Sequence, residues 1–291
     1  MTTEKQHPGI SVILPTSQSE QTLEACLESV AAQNYPDLEL LIIDKLSTDS
    51  TLEIATRFAE RYPWVTLVSE VDKGIFDAMN KGVNLARGEW LYFLGSDDVL
   101  EPEAFTRLFN LIDERHFDFV YGDVRLRSGQ LFDGEFSTLA ISRRNLCHQA
   151  AFYRRGLFER FGRFETRFPV WGDWEFNWRC FGDVETRRTW VPTVVAGFGS
   201  NGFSSTQDDE VLLSERPKLL FKHFKGCLSG DQMHEMLWHL LPRYVEEDFV
   251  RGLALMVRVG WFTRRLHRYV TVAVFWRMRS IFGSTRALRH P

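Results

Sequence analysis

EWLYFLGSDDVL, residues 89–100, decides how this chain folds. The apolar run ending at Leu94 has the length and composition of a buried β-strand. It runs straight into Gly95 and Ser96 and then two adjacent carboxylates, Asp97 and Asp98. Carboxylates at the edge of a core are costly unless they are solvated, paired or bound to a cation. The C-terminal edge of a parallel strand is also where open α/β sheets bind ligands. The pair therefore points to a Mg²⁺ or Mn²⁺ ion holding a phosphate, because hard cations favour carboxylate and phosphate oxygens. An Asp-Asp step after a strand also serves as a turn or a helix cap, so the pair acquires meaning only from its surroundings.

Towards the N-terminus the chain alternates. ISVILP (10–15), LELLIID (38–44) and WVTLVSE (64–70) read as three further strands. Between them, SEQTLEACLESVAAQ (19–33) carries Leu23, Leu27, Val30 and Ala31 at helical spacing. Ser50-Thr51-Leu52-Glu53 fits a capping box that opens a second helix, and GIFDAMNKGVNLA (74–86) reads as a third. Strands and helices in alternation predict βαβ units, a mainly parallel sheet and helices on both faces. Pro15, Asp44 and Asp97 then lie along one sheet edge, where a ligand site belongs. Beyond residue 101 the pattern is less regular. Residues 102–114 predict a helix and 117–123 a strand, while RRGLFERFG (154–162) and DWEFNWRCFG (173–182) predict short helices ending in Gly162 and Gly182. Residues 206–248 predict helix.

With 291 residues, 44% hydrophobic and 25% charged, the chain has ample material for a folded core. Its four cysteines lack CxxC spacing, which argues against zinc fingers and a disulfide framework and for reduced, mostly buried thiols in a cytoplasmic protein. The polar start MTTEKQHPG has no apolar signal core, and the longest apolar run near the end, YVTVAVFW (269–276), is too short to span a bilayer. Charge is unevenly distributed. No acidic residue follows Asp248, but nine arginines do; because the whole chain carries −4, its first 248 residues carry −13.

The ordered set SVILPT, QNYPDLELLIID, STDSTLEI, DKGIFDAMNKG, ARGEWLYFLGSDD, HQAAFYRR and GDWEF resembles the family 2 glycosyltransferases of GT-A fold over roughly residues 10–205. The similarity leans towards bacterial members that build capsule, exopolysaccharide or O-antigen. It implies an α/β, GT-A-like nucleotide-binding fold with a mainly parallel central sheet flanked by helices, plus a helical C-terminal extension. A catalytic domain would occupy 1–205, with a nucleotide half at about 10–100 and an acceptor half at about 101–205; a basic extension would occupy 206–291. The implied reaction is inverting transfer of a sugar from a nucleotide-sugar, UDP-linked in this subgroup, to a hydroxyl.

The resemblance also implies roles. Asp98, with Asp97, would bind the metal, and Asp97 would contact the nucleotide-sugar. Pro15 and Thr16 would line the nucleotide, and Asp44 would hydrogen-bond the base. Where the family commonly has Asp-Gly or Gly-Gly after this acid, Lys45-Leu46 stands here. Lys73, Gly74 and Asp77 would border the donor; as a plain loop and helix start, they serve equally well as a solvated turn with an N-terminal helix acid. Asp173 aligns with the catalytic base, Glu175 being the alternative, and a helix-start acid pair without chemistry is the other reading. His148 and Gln149 would meet acceptor or phosphate, unless His148 is a hydrogen-bonded core residue. Trp171 and Trp174 would stack on sugar rings or fill the core. Ser204, in FGSNGFSS (198–205), would touch the diphosphate. Gly95 stands where many relatives have a third acid. The chain has no QxxRW motif, which favours a non-processive enzyme.

The Arg-rich apolar segment after residue 249 suits either peripheral contact with the inner face of the cytoplasmic membrane, and hence a polyprenyl-diphosphate-linked saccharide acceptor, or a helical bundle packed on the body. Nucleic acid is disfavoured by the acidic body. A sugar nucleotidyltransferase would need a glycine-rich loop after the first strand, which PTSQSEQ lacks. A catalytically silent nucleotide-sugar-binding subunit is the remaining alternative.

Overall fold

A computed structural model describes residues 9–126, 128–132, 134–198, 207–241, 244, 248–265, 268–269 and 271–272. Strand β1 (Ile10–Thr16) is buried at all seven positions. It pairs in parallel with β2 (Leu38–Asp44) on one side and β4 (Trp90–Phe93) on the other, and β3 (Val65–Ser69) extends the sheet from β2. The near-continuous Val, Ile and Leu of β1 and β2 follow from this placement, because a parallel strand covered on both faces has no polar side to show. Helices α1 (Leu23–Ala31), α2 (Thr51–Arg61) and α3 (Ile75–Leu85) form the crossovers. The registers Thr16↔Asp44↔Ser69 and Ile13↔Phe93 bring the strand ends to one edge, with Gly95–Asp98 leaving β4 there.

The sheet continues with strands that the sequence pattern revealed only in part. These are β5 (Val99–Leu100), β6 (Phe119–Leu126), β7 (Leu131–Phe132), β8 (Ala151–Arg154) and β9 (Arg188–Phe198), in the order β3-β2-β1-β4-β8-β6-β9-β5 with β7 beside β6. β8 runs antiparallel to both β4 and β6, so the sheet is parallel over its N-terminal strands and mixed beyond them. Residues 154–155 do not join the helix predicted there, because Arg154 pairs with Trp90 across β8 and β4; α6 (Gly156–Phe161) starts after it and ends at Gly162, whose φ of +84° suits a glycine. The helix predicted over 102–114 shortens to α4 (Ala104–Asn110). Asp113 then accepts hydrogen bonds from the backbone and guanidinium of Arg115, a local arrangement that competes with helix continuation.

Two observations explain how the site elements are seated. Phe93 of β4, Tyr153 of β8, Phe158 of α6, Phe164 and Phe176 form one aromatic cluster, with Phe158 and Phe176 stacked at 4.4 Å and 13°. Phe176 anchors α7 (Gly172–Gly182) and so fixes Asp173 one turn earlier. On the other strands, α3 approaches β1 so closely that a Cβ at Gly82 would lie 2.4 Å from Ile13 Cγ2. Gly82→Ala is therefore expected to destabilise the protein by about 1–3 kcal/mol, the usual cost of overpacking. A melting temperature equal to wild type would show that this contact has slack.

The described residues divide into two compact units. One comprises residues up to 136, 145–180 and 185–209; the other comprises 137–144, 181–184 and 210 onward. The second is helical: α5 (Thr138–Arg143), α8 (Glu210–Phe224), α9 (Gly230–Leu237) and α10 (Phe249–Phe262). A reciprocal Ser229–Gln232 capping box starts α9. Among the described residues no helix is long and apolar enough to cross a membrane.

Candidate active site

At the end of β4 the chain turns tightly. Gly95 N donates to Asp98 Oδ2 at 3.2 Å, and Asp98 N donates to the Gly95 carbonyl at 3.1 Å. A Cβ on residue 95 would lie 2.4 Å from Asp98 Oδ2 and 3.1 Å from Asp97 Oδ1, so only glycine admits this carboxylate pose. Asp98 is 1% exposed, whereas Asp97 is partly open. Beneath the turn, Cys26 Sγ donates to the Gly95 carbonyl. Burial, followed by the charges of Asp98 and Asp97, pushes the Cys26 thiol well up, which leaves it an unreactive packing group.

A single 3₁₀ turn, residues His148–Ala150, joins this carboxylate to the second one. Tyr92, buried in the core, donates its hydroxyl to the Gln149 carbonyl at 2.7 Å and so fixes the turn. Gln149 Nε2 then donates to Asp98 Oδ2 at 2.7 Å. The neighbouring His148 Nδ1 lies 3.6 Å from Asp173 Oδ2. Burial lowers the His148 pKa, but the hydrogen bond and charge of Asp173, with Asp98 and Asp97 behind, outweigh it and the net shift is upward. Gln149 Oε1 and His148 Nε2 are buried without a hydrogen-bond partner. Orphaned polar atoms beside two carboxylates suit a site that takes a polar ligand.

Asp173 is held from behind by a chain of donors that all point towards it. Tyr153 Oη donates to Asn177 Oδ1 (2.9 Å), Asn177 Nδ2 to Asn145 Oδ1 (3.1 Å), and Asn145 Nδ2 to Asp173 Oδ2 (3.1 Å). The backbone N–H of Trp174 reaches Asp173 Oδ1 at 2.8 Å. Glu175 faces elsewhere. Its carboxylate is buried against Arg179, whose guanidinium also donates to the carbonyls of Phe161 and Arg163, so this acid belongs to a structural ion pair. Trp174 is buried and packs edge-on against Trp171 at 5.7 Å; it is a core residue, while Trp171 is half-buried.

Asp44 is fully buried. Its Oδ1 accepts from Thr16 and Ser47 hydroxyls and its Oδ2 from Ser47 N and the Ser69 hydroxyl. A carboxylate offers about four acceptor positions, so a nucleotide base would have to replace one of these partners. Lys45 reaches Asp72 at 3.3 Å, and Leu46 takes a left-handed φ of +46° with its side chain half exposed. Asp72 accepts from Gly74 N, Asp77 accepts from Lys73 N at the start of α3, and the Lys73 side chain is exposed. Gly74 sits at φ +130°, a conformation closed to L side chains. Pro15 is buried in β1. Ser204 lies outside the described residues.

Asn145, Asn177 and Tyr153 escaped the sequence reading. Only Asn177 left a signal there, standing four residues after Asp173 on one helix face. Tyr153 and Asn145 arrive from a strand and a loop with no local pattern to mark them.

The parallel N-terminal strands, the mixed sheet beyond them and the flanking helices form a GT-A-like α/β fold. The glycosyl transferase family 2 model matches residues 11–176, and the chain belongs to that family. The "PGL/p-HBAD biosynthesis glycosyltransferase" of Mycobacterium tuberculosis (strain ATCC 25177 / H37Ra) is 42% identical over 216 residues, covering 72% of this chain and 84% of the relative. Chondroitin synthase of Escherichia coli is 39% identical over 100 residues, 34% of this chain and 15% of that protein. Among solved structures, S. aureus TarS 1-349 in complex with UDP-GlcNAc superposes with a TM-score of 0.64 at 18% identity, covering 93% of this chain and 92% of that one. The mannosyltransferase PcManGT from Pyrobaculum calidifontis, in complex with GDP-Man and Mn²⁺, gives 0.55 at 19% identity over 99% and 82%. The chain is a glycosyltransferase, transferring sugar from a nucleotide-sugar donor.

Proposed function

We propose that this enzyme is an inverting, metal-dependent, non-processive glycosyltransferase. It moves one sugar from a UDP-sugar to a glycan or polyprenyl-diphosphate-linked saccharide in cell-surface polysaccharide biosynthesis. The observation that carries this reading is the bridge made by consecutive residues: His148 at Asp173 and Gln149 at Asp98. One rigid turn thereby sets the spacing between an acid suited to take a proton and an acid suited to hold a cation.

Asp173 accepts the proton of the acceptor hydroxyl as its oxygen attacks the anomeric carbon. The bond from that carbon to the diphosphate breaks on the opposite side, so configuration inverts and the electron pair leaves with the nucleotide. The Asn145 amide and the Trp174 N–H hold the base in one orientation, which lowers the entropy lost on reaching the transition state. Among the described residues no group of three or more His, Cys, Asp or Glu is arranged to hold an ion. Two aspartates nevertheless fit Mg²⁺ or Mn²⁺, which typically use one or two carboxylates together with substrate phosphates and water. When bound, the ion neutralises charge developing on the leaving diphosphate. Asp98 and Asp97 would hold it, and a cation also compensates for placing two carboxylates beside a buried turn.

Thermal stability tests the donor assignment. A UDP-sugar at 100 times its Kd should add about 2.7 kcal/mol of stability, only in the presence of Mn²⁺ or Mg²⁺. Stabilisation by GDP-sugars alone would overturn the UDP assignment. Equal turnover in excess chelator would overturn metal dependence, and a product of retained anomeric configuration, read by NMR, would overturn the role of Asp173.

A further inference from the structure

The outer face of α10 carries an apolar stripe that is exposed among the described residues. Its inner face, Gly252, Leu255, Met256, Val259 and Gly260, is buried. Val250, Val257 and Trp261 lie outward at spacings of seven and four, and are 76%, 40% and 79% exposed. Arg251 and Arg258 are exposed along the same side, and Arg264 follows just beyond the helix end. Isolated exposed apolar residues are ordinary, but a tryptophan and two valines aligned on one helix face with arginines beside them mark an interaction surface.

We infer that this face docks on an anionic lipid bilayer, with Trp261 and Val257 entering the headgroup boundary and Arg251 and Arg258 meeting lipid phosphates. This deepens the proposed lipid-linked acceptor, because it states how the enzyme reaches one. Charge decides among the occupants. No acidic residue follows Asp248, while nine arginines do. A second copy seated on this stripe would bring Arg251 and Arg258 against arginines of the other copy, and the acid at the helix start, Asp248, already pairs with Arg251 at 3.4 Å. A bilayer supplies negative charge together with an apolar layer. The 14-residue helix is about 21 Å long at 1.5 Å per residue, which suits lying in the interface and not spanning it. Indole rings also favour the headgroup level, where one edge is wet and the rest apolar.

Co-sedimentation of the full chain with vesicles tests this. Wild type should bind phosphatidylcholine vesicles containing phosphatidylglycerol, bind pure phosphatidylcholine weakly, and lose binding as salt rises. Arg251→Glu/Arg258→Glu should weaken vesicle binding by about tenfold or more, since each basic residue near an anionic surface contributes roughly one kcal/mol. Brominated-chain lipids should quench tryptophan emission in wild type and less in Trp261→Ser. Donor hydrolysis and nucleotide thermal shifts should stay at wild-type values in these variants, which separates failed docking from a failed catalytic assignment. Equal sedimentation of wild type and both variants would overturn the inference. So would a lipid-free dimer, seen by light scattering, that dissociates in Trp261→Ser, because the stripe would then belong to a second copy.

Discussion

Asp173→Asn is expected to lower kcat by about 10²- to 10⁴-fold, the range a positioned general base contributes, with KM for the donor close to wild type. The substitution is nearly isosteric. One amide oxygen remains to accept from the Trp174 N–H or the Asn145 amide, and Phe176 still anchors α7 in its aromatic cluster. What disappears is the anionic oxygen that takes the proton, so the loss should fall on the chemical step. Asn145→Ala should give a smaller loss of the same kind. In the double variant it should add little, because Asn145 acts only through Asp173 and coupled residues are non-additive. Glu175→Gln should behave differently. It breaks a buried ion pair with Arg179 and should cost about 3–5 kcal/mol of stability, while kcat of the folded fraction survives. A stable Glu175→Gln without turnover, together with an active Asp173→Asn, would reverse the assignment of the base.

How much of this was legible in the sequence depends on the range of the interactions. β1, β2, β3 and β4 declare themselves through local apolar runs, and α1 to α3 through helical spacing. Their parallel order then fixes the edge at which Asp44, Asp97 and Asp98 emerge. The remaining strands are set by pairing across long separations: Arg154 is drawn into β8 by Trp90, 64 residues earlier, against a local pattern that favours helix. Asp44 illustrates a different limit. Its position was readable, but its four hydrogen bonds come from Thr16, Ser47 and Ser69, and two of these partners lie on other strands. The relay behind Asp173 was hidden for the same reason, since hydrogen bonds between distant residues have no sequence period. Gly95 was readable as a missing acid. That its hydrogen is what allows Asp98 to fold over the turn is a three-dimensional contact that no sequence pattern marks.

That last contact makes the second large effect testable from two directions. Asp98→Asn should lower kcat by about 10²- to 10³-fold, the usual loss when one preorganised electrostatic contact to a transition state is removed. The amide keeps an oxygen for Gln149 Nε2 and for Gly95 N, so the turn should persist and the melting temperature should not fall. Loss of charge alone would then account for the loss of rate. The Mn²⁺-dependent part of the nucleotide thermal shift should vanish with it. Gly95→Ala keeps every carboxylate and places a methyl group 2.4 Å from Asp98 Oδ2. Asp98 must then leave its pose and its bond to Gln149, so kcat and the Mn²⁺-dependent shift should fall in the same direction. Electron paramagnetic resonance of Mn²⁺ with UDP reads the ion directly, free of turnover. If Asp98→Asn and Gly95→Ala both bind Mn²⁺–UDP and turn over like wild type, the pair at the end of β4 is a structural turn and the cation is held elsewhere. If Gly95→Ala alone is impaired, with Asp98→Asn unaffected, backbone geometry matters and the charge does not. The network joining Asp98 through Gln149 and His148 to Asp173 makes both outcomes less favourable than a shared loss, because moving one carboxylate disturbs the turn that positions the other.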